Sequence, residues 1–345
     1  MAKWCYWHLI WMYLSAVDYS KIEMNMTVKS TRLLNAPIIY PHMDARMGGN
    51  INNPSIIRVP DWVENPLGRY YLYFSDHTGH YIRMAYADDV LGPWKMYVPG
   101  VMDLADSMFE PVDLPEPLLS ERPAWAASLD GGCLYAHIAS PDVHVDDENR
   151  QFRMYYHGLL ANGDQQTRIS YSPDGVVFTA HSPLLGPPYF RAFLYDNWVY
   201  VVSWSGVFLR SRSWDGPFES GPTLPDVKMA GKSNRLIRHA EVHVRDSVLH
   251  IFFTCIGDCP ERIFHSSVVL SADWKTWKAS APTLVMAPEQ KWEGADLALM
   301  RSEIGAAHNR QRALRDPCVF ADGDKTYLLY CGAAESAIGV AALTF

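Results

Sequence analysis

The chain repeats one pattern five times, and that repeat limits what it can fold into. A short polar or Pro-bearing leader runs into a buried strand. A second strand rich in Tyr, Phe and Val follows, then a third strand and a turn marked by Asp, Gly, Pro or Trp. The leaders are Asn53-Pro54-Ser55, Ser140-Pro141-Asp142, Pro188-Tyr189-Phe190-Arg191, Arg238-His239-Ala240-Glu241 and Arg315-Asp316-Pro317. The second strands read Arg69 to Ser75, Gln151 to His157, Trp198 to Trp204, Val248 to Thr254 and Thr326 to Cys331. Leader spacings of roughly 45–90 residues suit propeller blades carrying loop insertions. The expected fold is all-β, a single five-bladed β-propeller over residues 18–345. The strand-like stretches Leu33 to Tyr40 and Ile338 to Leu343 would close the ring, removing an open sheet edge. Residues 99–136, Pro-rich and acidic, read as a surface insertion able to cover a pocket.

In a propeller the innermost strands surround one axis, so the leaders converge on a central pocket. They bring Asn53, Asp142, Arg191, His239, Glu241 and Asp316 toward it. Loops leaving the second strands add His77, His157, Asp258, Glu261 and Arg262. Strand alternation puts Asp142, His144 and Asp146 on one face and Val143 and Val145 on the other. A strand that gives one face to Asp and His is either a wet blade edge or functional. Asp258 to Arg262 is either an ion pair at a turn or a carboxylate and guanidinium at the pocket mouth. The loop bearing Trp292-Glu293 either folds over that face or turns away.

Bulk properties exclude some classes. A net charge of -8 and a pI near 5.9 lack the basic footprint of nucleic-acid binding. No internal apolar run is long enough for a membrane span. Twelve Trp and nineteen Tyr either pack between blades or offer stacking surfaces to a flat apolar ligand such as a sugar ring. Met1-Ala2-Lys3, apolar Trp4 to Val17, and Ser15-Ala16 resemble a secretory signal over residues 1–17. The sequon Asn25-Met26-Thr27 fits that route, so a secreted glycoprotein is expected. Cys318 with Cys331, and Cys255 with Cys259, can form disulfides, leaving Cys133. No Cys or His spacing indicates zinc, and no cofactor is expected.

The blade-start Asp-Pro pairs, the strand Tyr70-Tyr71-Leu72-Tyr73-Phe74-Ser75 and the outer Gly92-Pro93-Trp94 resemble five-bladed propellers of glycoside hydrolase family 43 and the related family 117. The resemblance implies a saccharide substrate and paired-carboxylate chemistry: an Asp base on blade one, an orienting Asp on blade two and a Glu acid on a later blade. Asp142 matches the blade-two Asp, Glu241 the acid, and Asp316 an equivalent leader on blade five. The blade-one position is Asn53, and an amide does not accept a proton at neutral pH. Asp44 from the preceding loop, or His42 or His239, can take its place.

The expected catalytic set is therefore Asp142, Glu241, His239 and Asp316. His42, Asp44, Asn53, His77, His144, His157, Arg191, Glu261, Arg262 and Trp292 are candidate substrate contacts. Two other readings stay open. In general character the chain resembles fungal hetero-Diels–Alderases, a class of non-hydrolytic cyclase that would bind an apolar terpenoid or polyketide in the same pocket. A non-catalytic carbohydrate-binding propeller is the other.

Overall fold

The computed structural model describes residues 28–115, 134–224 and 236–345. The Trp4–Val17 segment, the sequon at Asn25, Cys5 and Cys133 lie outside the described residues. Among the described residues, twenty strands form five four-stranded antiparallel sheets. The outermost strand of the last sheet, β1 (Lys29–Arg32), comes first in the chain. Blade one is β2 (Asn52–Arg58), β3 (Tyr70–Ser75), β4 (Tyr81–Ala87) and β5 (Lys95–Asp103). Blade two is β6 (Ile138–Asp146), β7 (Gln151–Leu159), β8 (Gln165–Ser172) and β9 (Thr179–Ala180). Blade three is β10 (Arg191–Tyr195), β11 (Trp198–Ser203), β12 (Val207–Ser211) and β13 (Glu219–Thr223). Blade four is β14 (Ile237–Arg245), β15 (Val248–Cys255), β16 (Ile263–Val269) and β17 (Thr283–Met286). Blade five is β18 (Leu314–Asp322), β19 (Lys325–Gly332), β20 (Ala337–Thr344) and β1.

The ring closes where β1 pairs antiparallel with β20, Lys29 opposite Thr344 and Arg32 opposite Ala341. The closing strand thus lies upstream of the expected Leu33 to Tyr40. That stretch contains Pro37, which has no N–H for a ladder. It contributes one isolated bridge, Ile39 opposite Ile338, and single bonds beside it, such as Ile38 N–H to the Ile338 carbonyl at 2.8 Å. A second difference is β5. Residues 95–103 complete blade one, so the insertion starts after Asp103. Pro99 and Gly100 hid this strand, yet an edge strand tolerates both, and the register slips between Ile82 and Met84 to accommodate them.

Blades pack face to face through aromatic residues. Tyr73, Met84, Phe152 and Tyr156 fill the gap between blades one and two. Tyr200, Leu249, Trp274 and Trp277 fill that between blades three and four. Trp94 and Leu72 meet Ile338 and Val340 where blade five meets blade one. Much of the aromatic content is therefore inter-blade core. Cys259, Cys318 and Cys331 are free thiols, so neither expected disulfide forms. Cys318 faces Leu329 across the hairpin and Cys331 faces Arg315, so the two thiols are not cross-strand partners.

Candidate functional site

Four innermost strands slip register at their start: between Asn52 and Ser55, Ala139 and Asp142, Ile237 and Ala240, and Arg315 and Cys318. Such bulges re-aim side chains toward the strand end. Within three of these slips a non-glycine residue has positive φ: Asn53 (52°), Ser140 (56°) and Asp316 (47°). Tyr189, just before β10, does the same at 64°. Non-glycine residues with positive φ are uncommon, and their recurrence at one point of four of the five blades marks the axial face.

The leaders thereby form two tiers. Asn53, Ser140, Tyr189, His239 and Asp316 make the upper one. Ser55, Asp142, Arg191, Glu241 and Cys318 make the lower one, about 7 Å farther along the strands at 3.3 Å per residue. Side chains from both tiers stitch neighbouring blades together. Ser55 Oγ accepts from Val143 N–H at 2.9 Å, and Asp142 Oδ2 accepts from Ala192 N–H at 2.9 Å. Asp316 Oδ2 accepts from Asn53 N–H at 3.3 Å.

A cavity of about 430 Å³ opens above the upper tier. Its polar walls include His77, Arg238, His239 and Gln165, and its apolar walls include Pro188, Tyr189, Trp204, Ile256 and Ile304. Asp164 is the one carboxylate among the lining residues. An arc of six rings runs beneath and beside this space. His77 lies 6.4 Å from Tyr135, Tyr135 5.0 Å from His137, and His137 5.5 Å from His157. Tyr189 then contacts His157 and His239, each at 4.4 Å between centroids. Burial lowers His137 to about 4 and holds His157 well below the ordinary histidine value, so both middle imidazoles are neutral.

The imidazoles at the two ends of the arc have carboxylate partners. Nδ1 of His239 faces Oδ1 of Asp316, which is buried. Burial alone would raise the Asp316 carboxyl, but the charge of His239 and the bond to it hold it below the usual range. His77 Nδ1 lies 3.4 Å from Glu335 Oε2. Glu335 also accepts from Asn50 at 2.9 Å and from Arg315 at 2.8 Å. These contacts outweigh its burial and keep it well below the usual range. Arg315 donates in addition to Glu261, which accepts from Arg238 at 2.8 Å on its other oxygen. Glu335 and Arg315 also act on Asp316 through their charges, so the two histidines sit beside one buried cluster of charges.

The lower tier carries its own ion cluster. Arg191 lies 3.1 Å from Glu241 and donates to the Pro141 carbonyl at 3.1 Å. His144 Nε2 lies 2.9 Å from Asp142 and its ring 4.9 Å from Trp214. Burial tends to raise Asp142, but His144 and Arg191 bring it below its ordinary value. Burial pushes Glu241 up to about 8, against the pull of Arg191.

Of the residues singled out in the sequence, His77 and His239 line the cavity, with Asp316 and His157 directly behind it. Asn53 sits beside Asp316, with its Oδ1 buried and without a hydrogen-bond partner. Asp142, His144, Arg191 and Glu241 do not line the cavity: Asp142, Arg191 and Glu241 lie one tier lower, and His144 lies two residues farther along β6. Glu261 is a buried link between two arginines, and Arg262 pairs with Asp258 at 3.0 Å, so this segment is an ion-pair turn and not the pocket mouth. Asp44 caps its own turn by accepting from Arg46 and Met47, and His42 is exposed on that loop. Trp292 turns away from the axis: it stacks on Tyr330 at 5.7 Å and covers Gly332 and Gly339 of blade five. Glu335, Arg315, Arg238, Tyr135 and Tyr189 were not in the expected site. Tyr189, Arg238 and Arg315 stood in leaders, and position in a leader was the available signal. Glu335 lies in the turn between β19 and β20 and had none.

Five radial sheets around a polar axial floor define a five-bladed β-propeller. The GH43_1 enzyme from Xanthomonas citri, complexed with xylose, superposes with a TM-score of 0.56 at 11% identity, over 90% of each chain. A GH43 β-xylosidase/α-arabinofuranosidase from a compost microbial metagenome, with xylotriose, gives 0.56 at 10% identity, over 92% of this chain and 96% of that one. An N-acetylgalactosamine deacetylase from F. plautii, with blood group B trisaccharide, gives 0.54 at 10% identity, over 91% and 95%. At these identities the likeness is one of fold. No family model matches the chain. Uncharacterized protein R118 of Acanthamoeba polyphaga mimivirus is 34% identical over 312 residues, 85% of this chain and 83% of the relative. The chain belongs to the family of that protein.

Proposed function

We propose that the protein is a glycoside-hydrolase-like enzyme that acts on a sugar or glycoside in the axial cavity, with His239 as its base. The observation that carries this reading is the His239–Asp316 pair on the cavity floor, beside the Asn53 that stands where the resemblance calls for an Asp. A carboxylate behind an imidazole fixes its orientation and stabilises its cationic form. That supplies the proton acceptor which Asn53 cannot be. Tyr189 and Trp204 offer aromatic faces, and Arg238 and Gln165 offer hydrogen-bond donors, the mix that suits a sugar. The three propellers of like fold are described with bound saccharides, which supports the substrate class. Asp142, Arg191 and Glu241 support the floor from below in this reading.

The test is turnover of a panel of nitrophenyl glycosides and short xylo- and arabino-oligosaccharides by the intact chain. Hydrolysis is expected, and His239→Asn should lower kcat by about 10²–10⁴-fold, the usual contribution of a general base. Failure to turn over any member of the panel overturns the reading.

A second reading is the non-hydrolytic cyclase. It is favoured by one observation: the cavity wall is mainly apolar and carries no carboxylate pair. A hydrolase of the two-carboxylate type needs such a pair about 5–10 Å apart. Retention of an apolar terpenoid or polyketide through purification, with no affinity for saccharides, would support it. Export by the secretory route follows in either case from the Trp4–Val17 segment. N-terminal sequencing of the protein recovered from the medium of a eukaryotic host tests that.

A further inference from the structure

We infer that His77 is a second catalytic imidazole, and that it and His239 form an acid–base pair holding one proton between them across the cavity. The inference rests on the hydrolytic reading for its chemistry, but on geometry alone for the pairing. Both residues line the same cavity, from blades one and four. Each has a buried carboxylate behind it, Glu335 for His77 and Asp316 for His239. Those two carboxylates belong to blade five and flank Arg315, which contacts Glu335 directly.

The cluster contains two guanidinium groups, Arg238 and Arg315, paired with Glu261 and Glu335, and a third carboxylate, Asp316, that feels the charges of Arg315 and Glu335. With both imidazoles neutral it carries one uncompensated buried negative charge. With one imidazolium it is neutral, and with two it carries excess positive charge. Burying an unpaired charge is costly, so the singly protonated state is favoured, and it contains one acid and one base.

The surroundings agree on both sides. His77 faces Glu335, Asn50, the Tyr135 ring and neutral His137, while nearby Arg83 is occupied by Asp76 at 3.0 Å. His239 faces Asp316, Tyr189 and neutral His157, while Arg238 is bound to Glu261 and Arg191 has the charge of Asp142 beside it. No free cation stands beside either imidazole among these groups.

In the reaction, the neutral imidazole takes a proton from water as its oxygen bonds to the anomeric carbon. The imidazolium gives its proton to the glycosidic oxygen as the carbon–oxygen bond breaks. One water is consumed and two hydroxyl products form. The pair ends with its proton on the other ring and returns to the starting state by exchange with solvent. Asp316 and Glu335 are positioning residues.

The experiment is an NMR pH titration of ring-labelled histidines in the substrate-free intact chain, wild type and His77→Asn and His239→Asn. The expected wild-type result is two transitions for these residues separated by about one pH unit or more, as coupled sites show. Removing the earlier-protonating histidine should raise the midpoint of the other by about one unit. Glu335→Gln, which removes the surplus negative charge, should lower both midpoints and serves if either Asn variant fails to fold. Midpoints that stay within about 0.2 units in every folded variant overturn the pair. With a glycoside in hand, the variant of the acid should recover turnover on a nitrophenyl leaving group and the variant of the base should not. Coupled titration with no glycoside turnover would refute the hydrolytic reading and leave the pair standing. Turnover with independent titration would do the reverse.

Discussion

The guanidinium of Arg191 lies 3.1 Å from the carboxylate of Glu241, with both side chains almost wholly buried near the propeller axis. Asp142 also adds its charge to Arg191, so one cation faces two carboxyl groups in the lower tier. Arg191→Met removes that cation and leaves the carboxyl groups facing each other. Above pH 8, where Glu241 is ionised, breaking a buried pair in this way costs about 3–5 kcal/mol. Urea unfolding monitored by tryptophan fluorescence should show a loss of that size. A loss under about 1 kcal/mol would mean that the lower tier is solvated and not a buried ion cluster.

Glu241 titrates near 8 in the folded chain, above its ordinary value of 4.5, because burial disfavours its charged form. Between these values the folded state holds more protons than the unfolded one. Its contribution to stability is therefore complete below pH 4.5 and is lost as pH rises toward 8. Glu241→Gln has no such proton. The stability of wild type relative to this variant should fall steadily from pH 5 to pH 8 in parallel denaturation series. A difference that is flat, or that rises with pH, contradicts the assignment.

Asn53→Asp restores the carboxylate that the resemblance calls for at this position, but the structure gives it an unfavourable neighbour. The backbone of Asn53 already donates to Asp316, and the Asn53 side-chain oxygen is buried without a donor. A second carboxyl group there would be held in its neutral form by burial and by the charge on Asp316. The variant should be less stable than wild type at pH 8 and close to it at pH 5, because that pKa is raised on folding. It should gain no hydrolytic rate, since His239 and not residue 53 is the base. A rise in kcat above wild type would sink that assignment.

Trp292 packs on the face of blade five, beside the core between blades four and five. Gly332 and Gly339 have no side chains, and a methyl group on either would meet the indole. Gly339→Ala should cost about 1–3 kcal/mol by overpacking. Trp292→Ala should cost about 3–5 kcal/mol as a large-to-small change. Neither should alter KM when assayed at a temperature where the variant is folded. A selective rise in KM with stability intact would return Trp292 to the substrate site.

Blade number and order were legible in the chain because each blade is local. The strands Tyr70–Ser75, Gln151–Leu159, Trp198–Ser203, Val248–Cys255 and Lys325–Gly332 follow the expected second strands to within two residues at each end. Their Tyr, Phe and Val content reports burial on both faces directly. Edge strands were harder. Lys95–Asp103 is half exposed and broken by Pro99 and Gly100, so it carries no clear alternation. The loop bearing Trp292 leaves open in sequence whether it folds over the axial face or turns away, and nothing in it shows that two glycines on β19 and β20 make a seat for the indole. The cysteine pairs were close enough in sequence to bridge, but one-residue details of register decide whether two thiols meet.

Periodicity, turn residues and the spacing of leaders were enough to specify five sheets, their sequence and the end of the axis where polar groups gather. These are properties of short segments, written into alternation and backbone preference. Which imidazole meets which carboxylate was settled only by closing the ring. That closure lays the β19–β20 turn, with Glu335, beside His77 of blade one, and sets Asp316 of blade five against His239 of blade four. Pairing between residues so far apart in the chain depends on blade tilt and bulge position, quantities to which no local pattern of residues is sensitive.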